Sequence, residues 1–416
     1  MKYLRSIQVR KPLNGFDFLI STKAMPKIKI INDPVYGFID IPTGLIMSLV
    51  DHPWFQRLRR IKQGGFSNLV YPGAVHTRLH HALGAYHLGT HAVSVLRKKG
   101  VPISDEEEEA LQVALLLHDM GHGPFSHSLE GLLVPVDHEE ITLLYLDQLN
   151  ANYEGKLSLA IEMFTNKYHR GFFHQLISSE LDLDRMDYLA RDSFFTGVAE
   201  GVIGYDRMIH MLNVVENRLV VEQKGINSIE KFLLARKLMY AQVYHHKMVV
   251  ASEEMLKLFF ETIREALNEG DELPDVPLIE FIRKDYRISN KSLLGDFSTL
   301  DDHDVVMLLK RLIISDNKVL SLVAEGLINR HLFGLVSGTK EQLSDIPESL
   351  RLYIDSLPKN VVRRGKISSK TYSFSNDEIE ILMKNDRIET YGKIKGRTDR
   401  SNEIIHYICF PKIDQF

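Results

Sequence analysis

Residues 118–127 read HDMGHGPFSH, and they follow directly upon an apolar helical segment at 110–117. Burying a histidine beside an aspartate costs free energy unless both side chains find partners. Imidazole nitrogen and carboxylate oxygen can both bind one divalent ion, such as Mn, Fe, Co, Ni, Zn or Mg. His118 and Asp119 are therefore candidate metal ligands. His122, four residues after His118, would share its face if the helix continued that far.

The remaining ligands must come from other segments, because such an ion takes three or four protein ligands and keeps open positions for water and substrate. Two segments offer suitable side chains. Residues 76–81 read HTRLHH upstream, and residues 182–192 read DLDRMDYLARD downstream. A histidine, then a histidine-aspartate pair, then an aspartate is the ligand order of the HD superfamily.

The composition narrows the chemistry of any metal site. The chain has 416 residues, a formal net charge of −4 and a single cysteine, Cys409. One cysteine supplies neither an intrachain disulfide nor a thiolate zinc cluster, so the ligands must be histidine and carboxylate. The negative net charge argues against indiscriminate nucleic-acid binding, although a few arginines suffice to bind one polyphosphate.

Hydropathy indicates whether the chain has a membrane-spanning or signal segment. No uninterrupted apolar run reaches the roughly 20 residues that cross a bilayer. The N-terminus scatters Arg5, Arg10 and Lys11 among polar residues and lacks an apolar signal core. We therefore expect a soluble, cytoplasmic protein without a membrane partner.

Apolar periodicity predicts a mainly α fold. An alternation from Lys27 to Ile41, broken at residues 32–34, predicts a short N-terminal β-hairpin. Ser104 stands at a plausible N-cap ahead of an acidic first turn. Helical spacing covers most of the central region, at 46–63, 78–98, 105–120, 139–150, 173–195 and 228–269.

Beyond about residue 290 the pattern becomes mixed, which predicts a smaller α+β region. Three units are expected: an N-terminal extension over 1–25, a helical domain over 26–290 and an α+β region over 291–416. The elements predicted in the last unit are helices at 302–315 and 317–329, a strand near 331–337 and β-prone stretches at 370–374 and 404–410.

These motifs together resemble a known family. Residues 71–81 (YPGAVHTRLHH), the 118–127 stretch, the pair His138-Glu139 and the 182–192 segment occur in the order found in the HD-domain deoxynucleoside triphosphate triphosphohydrolases, which include a vertebrate enzyme with SAM and HD domains and bacterial relatives. The similarity covers somewhat more than half of the chain. It begins near residues 32–37, includes 56–63 and extends through 244–247.

The resemblance implies a helical HD core and a ligand set for one or more divalent ions. Of the neighbouring histidines it places His81 rather than His80 at the ligand position, and His80 stands where the family commonly has an acid. The native metal is left open among Mn, Mg, Fe, Co, Ni and Zn. The implied ligands are His81, His118, Asp119 and Asp184.

The resemblance also implies catalytic and substrate-binding residues. His122 matches the catalytic histidine, Glu130 its orienting carboxylate, here in place of an aspartate, and His138 a second histidine near the triphosphate. A carboxylate bonded to one imidazole nitrogen favours the imidazolium form. Arginine suits phosphate because its planar fork donates paired hydrogen bonds. The implied substrate-binding residues are Gln63, Arg78, Arg185, Tyr188, Asp192, Arg236 and Tyr244.

The expected activity is hydrolysis of deoxynucleoside triphosphates to a deoxynucleoside and tripolyphosphate, by a homo-oligomer. Gly64 and Tyr240 depart from the animal enzyme's pattern, so no base preference is implied. One alternative is another HD phosphohydrolase acting on a nucleoside monophosphate, a cyclic nucleotide or a hyperphosphorylated nucleotide. The other is a regulator that binds nucleotide or nucleic acid without turnover.

One further histidine pair stands outside the expected site. His87 and His91 lie four residues apart, which is the spacing of two ligands on one helix face. Because the quartet is already complete, we interpret this pair as a solvated or hydrogen-bonded helix face.

Overall fold

The computed structural model describes residues 27–284, 286, 292–368, 378–396 and 404–413. The protein is mainly α, with an N-terminal hairpin and sheets toward the C-terminus, so the predicted fold class is confirmed. Among the described residues, no helix combines the length and the apolar character needed to span a bilayer. The predicted extension over 1–25 lies outside the described residues.

The N-terminal hairpin forms where the alternation predicts it. Strand β1 (Ile28–Asp33) pairs antiparallel with β2 (Gly37–Pro42). The turn closes because one Asp33 carboxylate oxygen accepts hydrogen bonds from the backbone amides of Val35 and Tyr36, at 2.9 and 3.0 Å. The other oxygen of Asp33 points into the core, where it accepts a hydrogen bond from Arg191.

Helices form the body of the molecule. Several of them begin with side-chain caps; for example, Ser104 accepts from the Glu107 amide and Asp182 accepts from the Arg185 amide. The α-helices between residues 45 and 283 are α1 (Leu45–Val50), α2 (Pro53–Gln56), α3 (Arg78–Lys98), α4 (Asp105–Leu117), α5 (His138–Asn152), α6 (Ser158–Phe164), α7 (Phe172–Ile177), α8 (Leu183–Thr196), α9 (Tyr205–Met211), α10 (Ile226–Met239), α11 (Lys247–Glu269) and α12 (Pro277–Arg283).

Three predicted helices are interrupted, each at an identifiable residue. The 46–63 helix breaks before Pro53, because a proline disfavours helical geometry in the residue preceding it. The 173–195 helix divides into α7 and α8, since Asp182 caps a new helix. The 228–269 helix passes through a π-helical turn, Tyr240–Tyr244, and restarts where His246 caps α11.

Sheets and shorter helices complete the fold. Strands β3 (Leu212–Val215) and β4 (Arg218–Glu222) form a hairpin that the periodicity does not predict. The elements toward the C-terminus are α13 (Ser292–Phe297), α14 (Asp302–Leu312), α15 (Lys318–Asn329), β5 (Gly334–Gly338), α16 (Lys340–Ser344), α17 (Glu348–Ser356), β6 (Arg363–Ser368), β7 (Glu380–Leu382), β8 (Ile388–Thr390), α18 (Tyr391–Lys395) and β9 (Ile404–Phe410).

The sheet order links the two larger predicted units. One sheet has the order β3-β4-β7-β8, with β4 and β7 parallel, and the other has the order β5-β9-β6. The predicted strand at 404–410 is β9 and the one near 331–337 is β5, while the stretch at 370–374 lies outside the described residues. Because β7 extends a sheet begun by β3 and β4, residues after 290 complete a structure that starts before it. The unit boundaries stay predictions.

Candidate active site

Three helices bring the four predicted metal ligands together. His81 lies in the first turns of α3, His118 and Asp119 directly follow α4, and Asp184 lies in the first turn of α8. His81 Nε2 is 3.0 Å from Asp184 Oδ1, 3.2 Å from His118 Nε2 and 3.6 Å from Asp119 Oδ2. Donor atoms spaced in this way suit a shared divalent ion with ligand distances of about 2.1 Å.

The outer nitrogens of the two histidines are held by partners. His81 Nδ1 lies 2.7 Å from Asp187 Oδ2, and His118 Nδ1 lies 2.7 Å from the Leu115 carbonyl oxygen. A proton on Nδ1 donated outward leaves the Nε2 lone pair free toward the cluster. His80 differs, since its Nδ1 accepts from the Thr77 amide at 3.1 Å and serves the cap of α3.

A buried ion-pair chain supports His81. Arg191 donates to Asp187 at 2.9 and 3.0 Å and to Asp33 at 2.8 Å, with its side chain fully buried. Gly84 makes this contact between α3 and α8 possible, because a Cβ at that position would collide with the Asp187 carboxylate and the Arg191 guanidinium. The hairpin turn, α3 and α8 are thereby joined behind one metal ligand.

The electrostatics of the cluster favour a bound cation. Burial raises the pKa of the Asp119 and Asp184 carboxyls, but Arg78 beside Asp119 and the two histidines beside Asp184 outweigh it and lower the pKa of both. Burial lowers the pKa of His81, yet hydrogen bonds to Asp184 and Asp187 dominate and raise it to about 10. The carboxylates that favour a proton on His81 Nε2 would equally favour a divalent ion in its place, because metal ligands bind in the deprotonated form, so two carboxylates and two imidazoles form a donor set that fits such an ion.

A second histidine cluster adjoins the quartet. His122 Nε2 lies 3.3 Å from Asp119 Oδ1, and its ring stacks on His138 with centroids 3.9 Å apart. Glu130 was expected to orient His122, but its two oxygens lie 2.6 Å from His138 Nδ1 and 2.8 Å from His127 Nδ1. The expected pairing of Glu130 with His122 is therefore wrong in this structure, because the carboxylate faces the other two rings.

His127 is a site residue that the sequence interpretation missed. It joins His122 and His138 in a group whose nitrogens lie within 4.8 Å of one another. The turn that presents it is unusual, since Phe125 and Ser126 have left-handed φ angles of 53° and 51°. Such backbone costs about 1–3 kcal/mol per residue and concentrates at functional sites. The three-residue spacing of His127 and Glu130 was the available signal.

Protonation differs within this cluster. Burial, followed by repulsion from Arg78, holds the pKa of His122 well below its ordinary value. Hydrogen bonds from His127 and His138 hold the pKa of Glu130 far below that of a free glutamate. Of the two histidine partners of Glu130, His127 is the more exposed, with 65% of its side chain accessible.

The three predicted phosphate-binding arginines are all engaged by acceptors of the chain itself. Arg78 donates to Ser126 Oγ at 2.7 Å and pairs with Asp119. Arg185 donates to the Ser179 carbonyl at 2.7 Å. Arg185 also lies 3.2 Å from the Asp182 carboxylate, and Arg236 pairs with the Glu180 carboxylate at 2.5 Å.

The predicted sugar-binding residues form a connected polar wall. Tyr244 Oη donates to Asp192 at 2.5 Å, and Asp192 also lies 2.6 Å from His76 Nε2. The backbone amide of Gln63 donates to the His76 carbonyl, and the Tyr188 ring lies 6.4 Å from that of Tyr244. Among the described residues, Gln63 Oε1 and Tyr188 Oη are buried without a hydrogen-bond partner. Buried polar atoms of this kind suit contact with a polar ligand.

Comparison with known proteins agrees with this geometry. The HD domain family matches residues 78–192, and the family described as HD associated region matches 203–284. A solved phosphohydrolase from Bacteroides thetaiotaomicron is 42% identical, with a TM-score of 0.85 over 93% of this chain and 100% of that one. The uncharacterized protein YwfO of Bacillus subtilis is 31% identical over 411 residues, 92% of each chain.

A relative with a named activity is more distant. The human deoxynucleoside triphosphate triphosphohydrolase SAMHD1 is 30% identical over 287 residues, which cover 58% of this chain and 46% of the human protein. The fold and the site define a metal-dependent hydrolase of the phosphohydrolase class. Within that class, the chain belongs to the HD-domain family, whose members bind divalent metal ions.

Proposed function

We propose that the protein hydrolyses deoxynucleoside triphosphates to a deoxynucleoside and tripolyphosphate. The observation that carries the proposal is that two of the three arginines and part of the polar wall lie on helices that also bear quartet residues: Arg78 begins α3, and Arg185 and Tyr188 follow Asp184 on α8. The human relative named for this activity supports the same substrate class.

The quartet His81, His118, Asp119 and Asp184 would hold the ion. A divalent ion there polarises a phosphoryl oxygen and lowers the pKa of water. Arg78, as its pair with Asp119 loosens, neutralises charge that develops on the phosphate. The buried Asp187 would keep His81 oriented through its hydrogen bond with Nδ1.

The histidine cluster supplies the proton that the departing 5′ oxygen needs. His122 lies at the edge of the quartet, 3.3 Å from Asp119, and is the proposed donor to that oxygen. Burial and Arg78 hold the pKa of His122 low in the free protein, and the negative charge of a bound triphosphate would raise it, so His122 would take up its proton from water as substrate binds. His138 stacks on His122 and shares Glu130 with His127, which would position the His122 ring. The leaving group departs as the neutral 5′ hydroxyl of the deoxynucleoside.

Binding of the triphosphate and the sugar falls to the other side of the site. Arg185 and Arg236 would exchange Asp182 and Glu180 for phosphate oxygens. Gln63, Tyr188, Asp192 and Tyr244 would line the sugar, with a tyrosine beneath the deoxyribose leaving no room for a 2′-hydroxyl. We therefore expect deoxynucleoside triphosphates to be preferred over their ribonucleoside counterparts.

A product assay tests the proposal directly. The purified protein is incubated with each dNTP and each NTP in Mn or Mg, and phosphorus NMR identifies the products. Tripolyphosphate with a deoxynucleoside is the expected result, and turnover of dGTP should exceed that of GTP. Equal turnover in every deoxy and ribo pair would contradict the sugar assignment.

Two other outcomes identify the alternatives. Release of orthophosphate or pyrophosphate, or turnover only of monophosphates, cyclic or hyperphosphorylated nucleotides, would make the chain a different HD phosphohydrolase. Nucleotide binding without turnover in any metal would make it a regulator. Homo-oligomer formation and a cytoplasmic location stay predictions, which light scattering of the purified protein and cell fractionation test.

A further inference from the structure

A second cluster of ligand-type side chains lies away from the quartet. His91 on α3 meets Asp206 and His210 on α9, and one ligand atom from each lies within 4.8 Å of the others. His91 Nε2 is 3.2 Å from Asp206 Oδ1, and His210 Nδ1 is 3.6 Å from the same oxygen. His91 follows His81 by ten residues, or about 15 Å along the helix. The two clusters are therefore separate sites.

The state of His91 suits a metal ligand better than an ion pair. Burial lowers its pKa, which favours the neutral imidazole. Its Nε2 is shielded from solvent and makes no aligned hydrogen bond, although Asp206 Oδ1 lies within reach. In the tautomer that carries its proton on Nδ1, the neutral imidazole presents the Nε2 lone pair beside the Asp206 carboxylate, and a cation between them would bind both.

The partners on α9 are pre-oriented. Asp206 and His210 stand one helical turn apart on the same face of α9, and His210 Nδ1 lies 2.9 Å from the Asp206 carbonyl oxygen, a contact that metal binding through Nδ1 would replace. Lys99, at the end of α3, donates to the carbonyls of His210 and Leu212 at 2.7 Å and so ties α9 to α3. Asp206 is 70% exposed and His210 51%, so water can complete a coordination shell.

We propose that His91, Asp206 and His210 form a peripheral binding site for a divalent transition-metal ion. Two imidazoles and one carboxylate suit zinc, and also nickel or copper, better than magnesium or calcium. The site joins the two regions matched by the family comparisons, since His91 belongs to 78–192 and its partners to 203–284. Its role is to stabilise that junction rather than to take part in hydrolysis.

Zinc binding tests the site by stoichiometry. The chelator-stripped protein is dialysed to equilibrium against zinc, and bound metal is measured by mass spectrometry. His210→Ala should bind one zinc fewer per chain than the wild type, and Asp206→Asn should bind zinc less tightly. The matched control is His169→Ala, an exposed histidine elsewhere, which should bind as the wild type does.

A stability measurement separates this site from the quartet. In an Asp119→Ala background, zinc should raise the unfolding temperature, and adding His210→Ala should abolish that shift. The same zinc content in the wild type and in His210→Ala would overturn the proposal, as would an Asp119→Ala protein that binds no zinc. Should Asp119→Ala fail to fold, the comparison of the wild type with His210→Ala decides alone. None of these results depends on which nucleotide is hydrolysed.

Discussion

The two sides of the candidate active site are held in opposite ways. On the metal-binding side, His81 and His118 direct Nε2 inward because Asp187 and the Leu115 carbonyl hold their outer nitrogens. On the side proposed to bind phosphate, the arginines are turned toward partners of the chain itself. Arg236 pairs with Glu180, and Arg185 lies 3.2 Å from Asp182.

This difference has an energetic meaning. A metal ion entering the quartet would leave the contacts that hold the outer nitrogens of His81 and His118 in place and would replace the inward contact between His81 and Asp184, so little of the binding free energy would be spent on turning these rings. A triphosphate must instead displace carboxylates from arginines, so its net gain is the difference between two charge-assisted pairs. The ligand side chains proposed to bind metal are already oriented. The arginines proposed to bind phosphate would instead exchange a carboxylate of the chain for a phosphate of the substrate.

Asp119→Ala should have the largest effect, because it removes a metal ligand and frees Arg78 at the same time. We expect loss of most bound metal and a fall in kcat/KM of about 10³-fold or more, since a metal supplies several kcal/mol of charge stabilisation. Metal content and tripolyphosphate release are the measurements. A fully active, metal-free Asp119→Ala protein would falsify the quartet.

Replacing the cluster histidines should affect chemistry but not metal binding. His122→Ala is expected to lower kcat by about 10²–10⁴-fold with metal content nearly intact. His127→Ala removes one of the two histidines that contact Glu130 and should lower kcat less than His122→Ala does. His169→Ala is the control and should leave kcat unchanged. Single-turnover rates and dNTP dissociation constants separate the steps. Loss of metal in His122→Ala would make it a ligand, and an unchanged rate would remove its catalytic role.

Asp187→Asn sharpens the preformed half of the comparison. The amide keeps only one acceptor oxygen, so its NH2 group would face either the Nδ1 proton of His81 or an N–H of Arg191, and the support of the ring would be disturbed. Metal affinity should weaken by about 10–100-fold, which is the usual cost of removing an outer partner. Competition with a metal-binding dye measures it. Unchanged affinity would show that the ligand arrangement needs no support from behind.

Arg236→Ala and Glu180→Gln test the proposed phosphate-binding side, because they should change dNTP affinity in opposite directions. Arg236→Ala should weaken dNTP binding by about tenfold, because a charge-assisted hydrogen bond contributes about 1.5–3 kcal/mol. Glu180→Gln removes the competing carboxylate, so dNTP affinity should rise by a few-fold. Equilibrium binding to the metal-free protein reports both. Weaker binding in Glu180→Gln would mean that Glu180 positions Arg236 rather than competing for it.

Local patterns in the sequence predicted part of the structure well. Helix α3 begins and ends where the apolar spacing indicates, and the order of ligand-type residues identified side chains that the fold brings together. Both depend on information within a few helical turns. Whether the four side chains bind metal stays a prediction that the Asp119 variant tests.

The remainder depended on contacts between distant segments. Nothing near Glu130 shows that the chain returns to place its carboxylate on His127 and His138. The pairing of β4 with β7 joins strands far apart in sequence, and such pairing leaves no periodic trace in either. Likewise, His91 gained partners only because α9 packs beside α3.

Gly84 carries a consequence for protein engineering. The Asp187 and Arg191 side chains occupy the space that a Cβ of residue 84 would need. The predicted metal ligand His81 and the residues that orient it are therefore packed as one unit. A graft of the quartet alone onto another helical scaffold would leave His81 unsupported. The smallest module that could be transferred therefore includes Gly84, together with the Asp33–Arg191 pair that joins the hairpin turn to α8.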